Sequence, residues 1–183
     1  MHPRPGTYAL FFTAKRKKRL VIGKLGAFNL QPGCYVYVGS AFGPGGLKAR
    51  IGHHRKNSSR RHWHIDYLSK YLPPDEAWYT YDPTHREHLW SEVLSHARGA
   101  SSPLPGFGSS DCHCISHLHF FSSRPSGNYF RRKIHAAVDH HGRIFIEKFL
   151  DKKLISDIHL PKLSSVINRN SYFLLSSKLD DFL

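Results

Sequence analysis

Apolar residues in this chain follow two rhythms. Runs rich in β-branched and aromatic residues predict strands at Thr7–Phe12, from Leu20 to Gly23, and at Cys34–Gly39, Glu76–Tyr81 and Ser116–Phe121. The basic run Lys15–Arg19 reads as a solvated hairpin tip, and LGAFNLQPG as a turn-rich connector between the second and third strands. A rhythm of 3.6 predicts helices over about Gly46–Lys56, His62–Tyr71 and Thr84–Arg98, the last with Thr84 as N-cap and Pro83 just before it. Ser40–Gly46 and Gly99–Ser110 are loops rich in glycine, proline or serine. After Ser123 the character changes. RPSGNYFRRK reads as a basic linker, and Ile146, Phe149, Leu150, Leu154 and Ile158 are spaced as on a helix within Ile144–His159. The pattern therefore predicts an α/β domain over about residues 1–122 and an extension over 123–183 to which no role attaches.

Charge sharpens this picture. The chain carries 27 Lys+Arg against 13 Asp+Glu, a formal net charge of +14. From Met1 to Arg61 there are 13 basic residues and no acid; the first acid is Asp66. A surface with that many cations and no internal partners must find anions elsewhere, and a phosphate backbone answers best because binding releases its condensed counterions. Lys15, Arg16, Lys17, Lys18, Lys48, Arg55 and Lys56, with His62 and His64, are the expected backbone contacts. No run is long enough to span a membrane, and the N-terminus lacks the apolar core of a signal peptide. Cys34, Cys112 and Cys114 are too few, and odd in number, for a disulfide framework, so a reducing, cytoplasmic setting is expected. No feature speaks to oligomeric state.

The chemistry-bearing residues sit on the predicted elements. On the first helix Leu47 and Ile51 form the apolar stripe, and Arg50 and His54 flank it one turn apart. Lys48, Arg55 and Lys56 point elsewhere. An arginine beside an inward face needs an anion there: a phosphate gripped through two hydrogen bonds, or a distant carboxylate such as Glu87 or Asp66. Its other option is to snorkel to solvent. Glu87 lies on the edge of the core face formed by Trp90, Val93, Leu94 and Ala97. It fits a magnesium ligand, and Thr84-x-x-Glu87 equally fits a capping box. Tyr8 lies on the first strand; Tyr35 and Tyr37 share one face of the third. In HWHID, His62, His64 and Asp66 either line a cleft or form a polar helix start with Trp63 in the core. Cys112, Cys114, His117 and His119 offer four zinc-ligand types, although Cys-x-Cys is a less common spacing than Cys-x-x-Cys. The other reading of that block is packed or exposed thiols beside a loop.

The ordered set Gly6-Thr7-Tyr8, Tyr37-Val38-Gly39, a Gly-rich loop, Arg50 and His54 on a helix, HWHIDYL, Glu87 and PGFGSSDCHCISHL resembles the GIY-YIG nuclease superfamily, in its Uri-like endonuclease branch. The resemblance covers about Gly6–Phe121. Thr7 and Val38 replace the motif's isoleucines and keep their β-branching. The polar amide that many members of that superfamily carry late in the domain has no clear counterpart here near Gly99–Ser110.

The resemblance implies an α+β fold, a small three-stranded antiparallel sheet flanked by helices. It also implies phosphodiester hydrolysis with one Mg2+ or Mn2+, on DNA rather than RNA. Tyr8 would help deprotonate the attacking water, and Tyr37 would hydrogen-bond the phosphate or that water. Arg50 would stabilise transition-state charge, His54 would relay a proton or touch phosphate, and Glu87 would hold the metal. With no recognition module in sight, structure- or strand-selective cutting is expected. The rivals are a non-catalytic nucleic-acid-binding module of the same fold and an RNA-directed nuclease.

Overall fold

Two strands with almost no polar face set the architecture. Thr7–Ala14 (β1) and Gly33–Ser40 (β4) are buried at nearly every position. Such ribbons must be covered on both faces. The computed structural model describes residues 1–56 and 61–149. Within them β1 and β4 pair antiparallel over their full length, Thr7 opposite Ser40 and Tyr8 opposite Gly39. Glu76–Thr80 (β5) pairs with the other edge of β1, Leu118–Phe121 (β6) with β4, and Ile144–Lys148 (β7) with β5. The result is a five-stranded antiparallel sheet in the order β6-β4-β1-β5-β7.

Alternation along the strands sorts the side chains. Tyr8, Leu10, Phe12, Tyr35 and Tyr37 point to one face, where Gly46–Arg55 (α1) and His64–Tyr71 (α2) cover them with Leu47, Ile51, Ile65 and Leu68. Lys18–Val21 (β2) and Ala27–Leu30 (β3) form a separate two-stranded ribbon that adds Leu20, Phe28 and Leu30 to the same face. Ala9, Phe11, Val36, Val38 and Trp78 point the other way, onto Trp90 and Leu94 of Glu87–Ser95 (α3) and Phe130 and Ile134 of Gly127–Ala137 (α4). The sheet is thus the middle of three layers.

Several sequence expectations are corrected. The sheet has five strands where three were expected. LGAFNLQPG is not all connector: it holds β3, because Phe28 and Leu30 alternate inward and the tight turn Gly23–Leu25 returns the chain beside β2. The third helix begins at Glu87, with Arg86 and not Thr84 at its N-cap. Asp82 keeps Thr84 out of the helix, its carboxylate accepting from Thr84 N at 2.9 Å and pairing with Arg86 at 3.1 Å.

The segment RPSGNYFRRK is the start of α4 rather than a linker, capped by Ser126 and buried through Phe130. Ile144–Lys148 is strand, not helix, since the open edge of β5 offers a ladder of hydrogen bonds that local helical spacing cannot outbid. Leu150, Leu154 and Ile158 lie outside the described residues. The compact unit consequently runs to Phe149, past the boundary expected near 122.

If α4 is integral, Ile134→Ala should lower stability by about 2–5 kcal/mol, as for any fully buried aliphatic residue. Urea denaturation measures this. A loss under about 0.5 kcal/mol, the level of ordinary surface sites, would mean that α4 is a detachable extension.

Candidate active site

One end of the sheet opens into a cleft of about 370 Å³, where β1 begins and β4 ends. Five residues singled out by sequence line it together: Tyr8 from β1, Tyr37 from β4, Arg50 and His54 from α1, and Glu87 from the first turn of α3. His62 and His64 join them ahead of and within α2. Lys15, Arg16, Lys17, Lys18, Lys48, Arg55 and Lys56 do not line it. Lys17 and Lys18 border a separate groove beside Arg19, and the Arg55 guanidinium stacks 4.0 Å over Phe149.

The sequence explains the placement. Burial of Leu47 and Ile51 turns His54 inward until it is only 2% exposed, with Arg50 beside it at the rim. Gly39 lies directly against the Tyr8 ring, and a Cβ there would come 2.6 Å from the Tyr8 hydroxyl. Gly108, at φ +72°, brings its backbone under Tyr37 in a conformation that side chains disfavour. Its N–H donates to His64 Nδ1 at 3.2 Å, joining that loop to the cleft.

The polar core of the site is a line of three side chains. The Tyr8 hydroxyl lies 3.0 Å from His54 Nε2, and His54 Nδ1 lies 3.2 Å from Asp66 Oδ1. Asp66 Oδ2 in turn accepts from the backbone N–H groups of His62 at 2.9 Å and Trp63 at 3.0 Å. Burial would raise the Asp66 carboxyl, but the bonds from His54 and those two N–H groups outweigh it and bring it down to about 2. A carboxylate only accepts, so the imidazole proton sits on Nδ1. Nε2 then presents its lone pair to the Tyr8 O–H. Burial holds Tyr8 well above the usual phenol range and His54 below its ordinary value, with the Asp66 charge opposing the latter shift. At neutral pH the resting line is therefore neutral phenol, neutral imidazole and carboxylate.

Around it stand groups of contrasting charge. Arg50 rests its guanidinium 4.1 Å over the Trp63 ring and has no carboxylate within ion-pair distance among the described residues. The same is true of every described Lys and Arg from Met1 to Arg61, so the cations of that stretch find no compensating carboxylate among the described residues. Trp63 is 43% exposed and is not the core residue that one reading of HWHID supposed. Glu87 is the acid that faces this group. Burial would raise its carboxyl, but His117 and Ser40 beside it bring the net shift below the usual range, so it is ionised. His117 Nδ1 approaches Glu87 Oε1 to 2.9 Å, close enough for strong attraction although the ring N–H is not well aimed at the oxygen.

Two sets of side chains have the composition of metal sites. His53, His54 and Asp66 converge, but both ring nitrogens of His54 are already engaged. The other set joins Cys112, Cys114 and His117 to His88 of α3. His119, expected with them, is not in this set; its Nε2 lies 3.0 Å from Ser91 Oγ instead. Residues at 117 and 119 of an extended segment share a face only if the strand is regular there, and Ser116–His117 is still loop. A cavity of about 910 Å³ adjoins this set but is lined by neither Tyr8, Tyr37 nor Arg50, which lie in the smaller cleft. His88 was not foreseen from the sequence, and for Asp66 the sequence offered a cleft or helix-start role but not its bond to His54. Asp66 was visible as a polar member of HWHID, whereas nothing local marked His88.

A family model described as a domain of unknown function, DUF123, matches residues 7–140. The chain belongs to that family. No curated protein and no solved structure matches it. The DUF123 match takes in β1 through α4 and so contains every residue of the cleft. No helix of the described part of this DUF123 domain is long and apolar enough to cross a membrane.

The Tyr8–His54–Asp66 line has a spectroscopic signature. His54 should titrate below about 6.5, the usual histidine value, and lower still in Asp66→Asn, which removes the charge that favours the imidazolium. Histidine NMR reads both. A His54 that titrates above its ordinary value, or an unchanged value in Asp66→Asn, would break the line.

Proposed function

We propose that this chain is a divalent-metal-dependent endonuclease of the GIY-YIG type that hydrolyses phosphodiester bonds in DNA. The observation that carries the reading is the convergence in one cleft of the Tyr8–His54–Asp66 line, the ionised Glu87 and an Arg50 with no carboxylate partner among the described residues. DNA in preference to RNA follows from the resemblance to the Uri-like branch. Structure- or strand-selective cutting follows from the lack of any recognisable sequence-reading module.

The residues can move a proton in a definite order. Passing the Tyr8 proton to a neutral imidazole in water would cost about 5 kcal/mol, the difference between a phenol and an imidazole. Burial widens that gap, so no standing tyrosinate exists. Tyr8 works instead as a shuttle. As the attacking water's oxygen bonds to phosphorus and the bond from phosphorus to the leaving sugar oxygen breaks, the water's proton passes to the Tyr8 oxygen while the Tyr8 proton passes to His54 Nε2, and the leaving oxygen takes a proton from solvent. Asp66, a positioning residue, holds the ring and stabilises the imidazolium that results. Tyr37, kept neutral because burial raises its hydroxyl, donates a hydrogen bond to a phosphate oxygen. Arg50, held flat on Trp63, meets the charge that grows on the phosphate oxygens.

Glu87 fits a hard cation. It is ionised, it lines the cleft, and Asp111 lies in the same wall. Magnesium and manganese suit such a site, since magnesium takes one or two protein carboxylates and keeps several waters. Bound there, the ion would polarise the phosphate and act as a template for it. A capping role for Glu87 with Thr84, which would have favoured a silent binding module, has lost its geometric basis.

Labelled single-stranded, duplex, flap and branched DNA, with matching RNA, should be incubated with magnesium, manganese or EDTA. DNA cutting that needs metal is expected, with Arg50→Ala and Glu87→Gln each slower by about 10²–10³-fold. Retention without cutting under every condition would leave a nucleic-acid-binding module, and cutting confined to RNA would replace the substrate.

A further inference from the structure

We propose that His88, Cys112, Cys114 and His117 bind one zinc ion, which clamps the loop forming one wall of the cleft. The ligand atoms of these four side chains all lie within 4.8 Å of one another. They come from three places in the chain: the first turn of α3, the loop between α3 and β6, and the residue that leads into β6.

The distances are those of ligands around one small ion. Around a tetrahedral zinc with Zn–S of about 2.3 Å and Zn–N of about 2.0 Å, nitrogen and sulfur ligands stand about 3.5 Å apart. Here His88 Nδ1 is 3.3 Å from Cys114 Sγ, and His117 Nε2 is 3.4 Å from Cys112 Sγ. Each pair alone is also the contact of a thiol–imidazole hydrogen bond; the gathering of all four ligand atoms within 4.8 Å is what a single ion explains. Two thiolates and two imidazoles are the donors of closed, structural zinc sites. A two-iron cluster would separate cysteines and histidines onto different irons, and these pairs are interleaved.

The fold supplies a need for the ion. Between α3 and β6 the chain runs from His96 to His117 with one isolated bridge, at Ser101, and no helix or regular strand. Long segments of this kind are uncommon in compact domains without something to hold them. Gly108, Ser110 and Asp111, just before the two cysteines, line the candidate active site. A zinc cross-link from that loop to α3 and β6 fixes this wall.

It also acts on Glu87. Zinc on Nε2 of His117 forces the remaining ring proton onto Nδ1, the atom 2.9 Å from Glu87 Oε1. Metal-bound histidines commonly give that second N–H to a carboxylate, and Glu87 is the carboxylate within reach once the ring turns to aim the N–H at it. His117 thereby becomes the link between a structural ion and the acid at the head of the cleft. This consequence alone rests on the nuclease reading; the zinc site does not.

The test is read without nucleic acid. Full-length chain purified without chelators or an affinity tag of histidines should contain about one zinc per molecule by mass spectrometry of metals. Exchange for cobalt should give the intense thiolate-to-cobalt absorption and the visible bands of a tetrahedral ion. Cys112→Ser/Cys114→Ser should lose both signals. His119→Gln and Glu87→Gln should keep the zinc, since neither residue is a ligand. Wild-type protein that holds only trace zinc and shows no thiolate absorption with cobalt overturns the proposal. So does iron in place of zinc, or zinc retained by the double cysteine variant. Should that variant fail to fold, the wild-type cobalt spectrum still decides. Zinc present without DNA cleavage would sink the nuclease and leave the clamp standing.

Discussion

The cleft depends on β1 being held from both sides. Its pairing with β4 sets Tyr8 opposite Gly39, and its pairing with β5 sets Tyr8 opposite Tyr79. Between two neighbours a strand cannot slip by one residue without sending Tyr8, Leu10 and Phe12 to the opposite face. The register that buries the α1 side of the sheet therefore also fixes the Tyr8 hydroxyl. Once Tyr8 is fixed, His54 and Asp66 follow, because α1 and α2 can cover that face only with Leu47, Ile51, Ile65 and Leu68 turned inward. The hydrogen-bonded line is thus a by-product of core packing with polar ends. That makes it rigid, and rigidity is what a proton shuttle requires.

Charge divides along the same architecture. The cations of the first third of the chain find no carboxylate among the described residues, while the buried acids are each committed. Asp66 serves His54 and the start of α2, Asp82 orders the approach to α3, and Glu76 answers Arg124 and Trp78. Of the acids in the cleft, Glu87 is the one at the start of α3, where the helix dipole favours negative charge. On the proposed reading, Glu87 and an Arg50 that has no carboxylate partner among the described residues would meet a phosphate accompanied by a divalent cation.

How much of this was legible varied with the range of the interaction. Both long central strands, the Leu47–Ile51 stripe and the placing of Arg50 and His54 on its flanks are written in local periodicity, and the structure has them. The role of Asp66 was half visible: HWHID announced a polar helix start, but not that one carboxylate would serve both the helix and His54. Thr84 misled because a capping pattern four residues long cannot register that Asp82 competes for the same backbone. Ile144–Lys148 misled for the opposite reason. Its strand state comes from an edge of β5 that lies about 65 residues away in sequence, and only the assembled sheet reveals it. His88 escaped notice because its partners are contributed by a loop that no periodicity describes.

His117 is where these threads meet, and hardness explains how two metals can be kept apart around it. A thiolate–imidazole set prefers zinc, whereas a carboxylate with water prefers magnesium or manganese. Glu87 contributes an oxygen and no sulfur, and the Cys112–Cys114 loop presents its thiols on the other side of His117. An exchange of ions would put magnesium among thiolates, where it binds poorly, so the donor chemistry alone sorts the two. If both proposals hold, the tautomer of His117 would be fixed by the zinc and felt by Glu87. Sorting by softness would then let a structural zinc stand beside the ion held by Glu87 without competing for it, and would tie the loop that walls the cleft to that carboxylate.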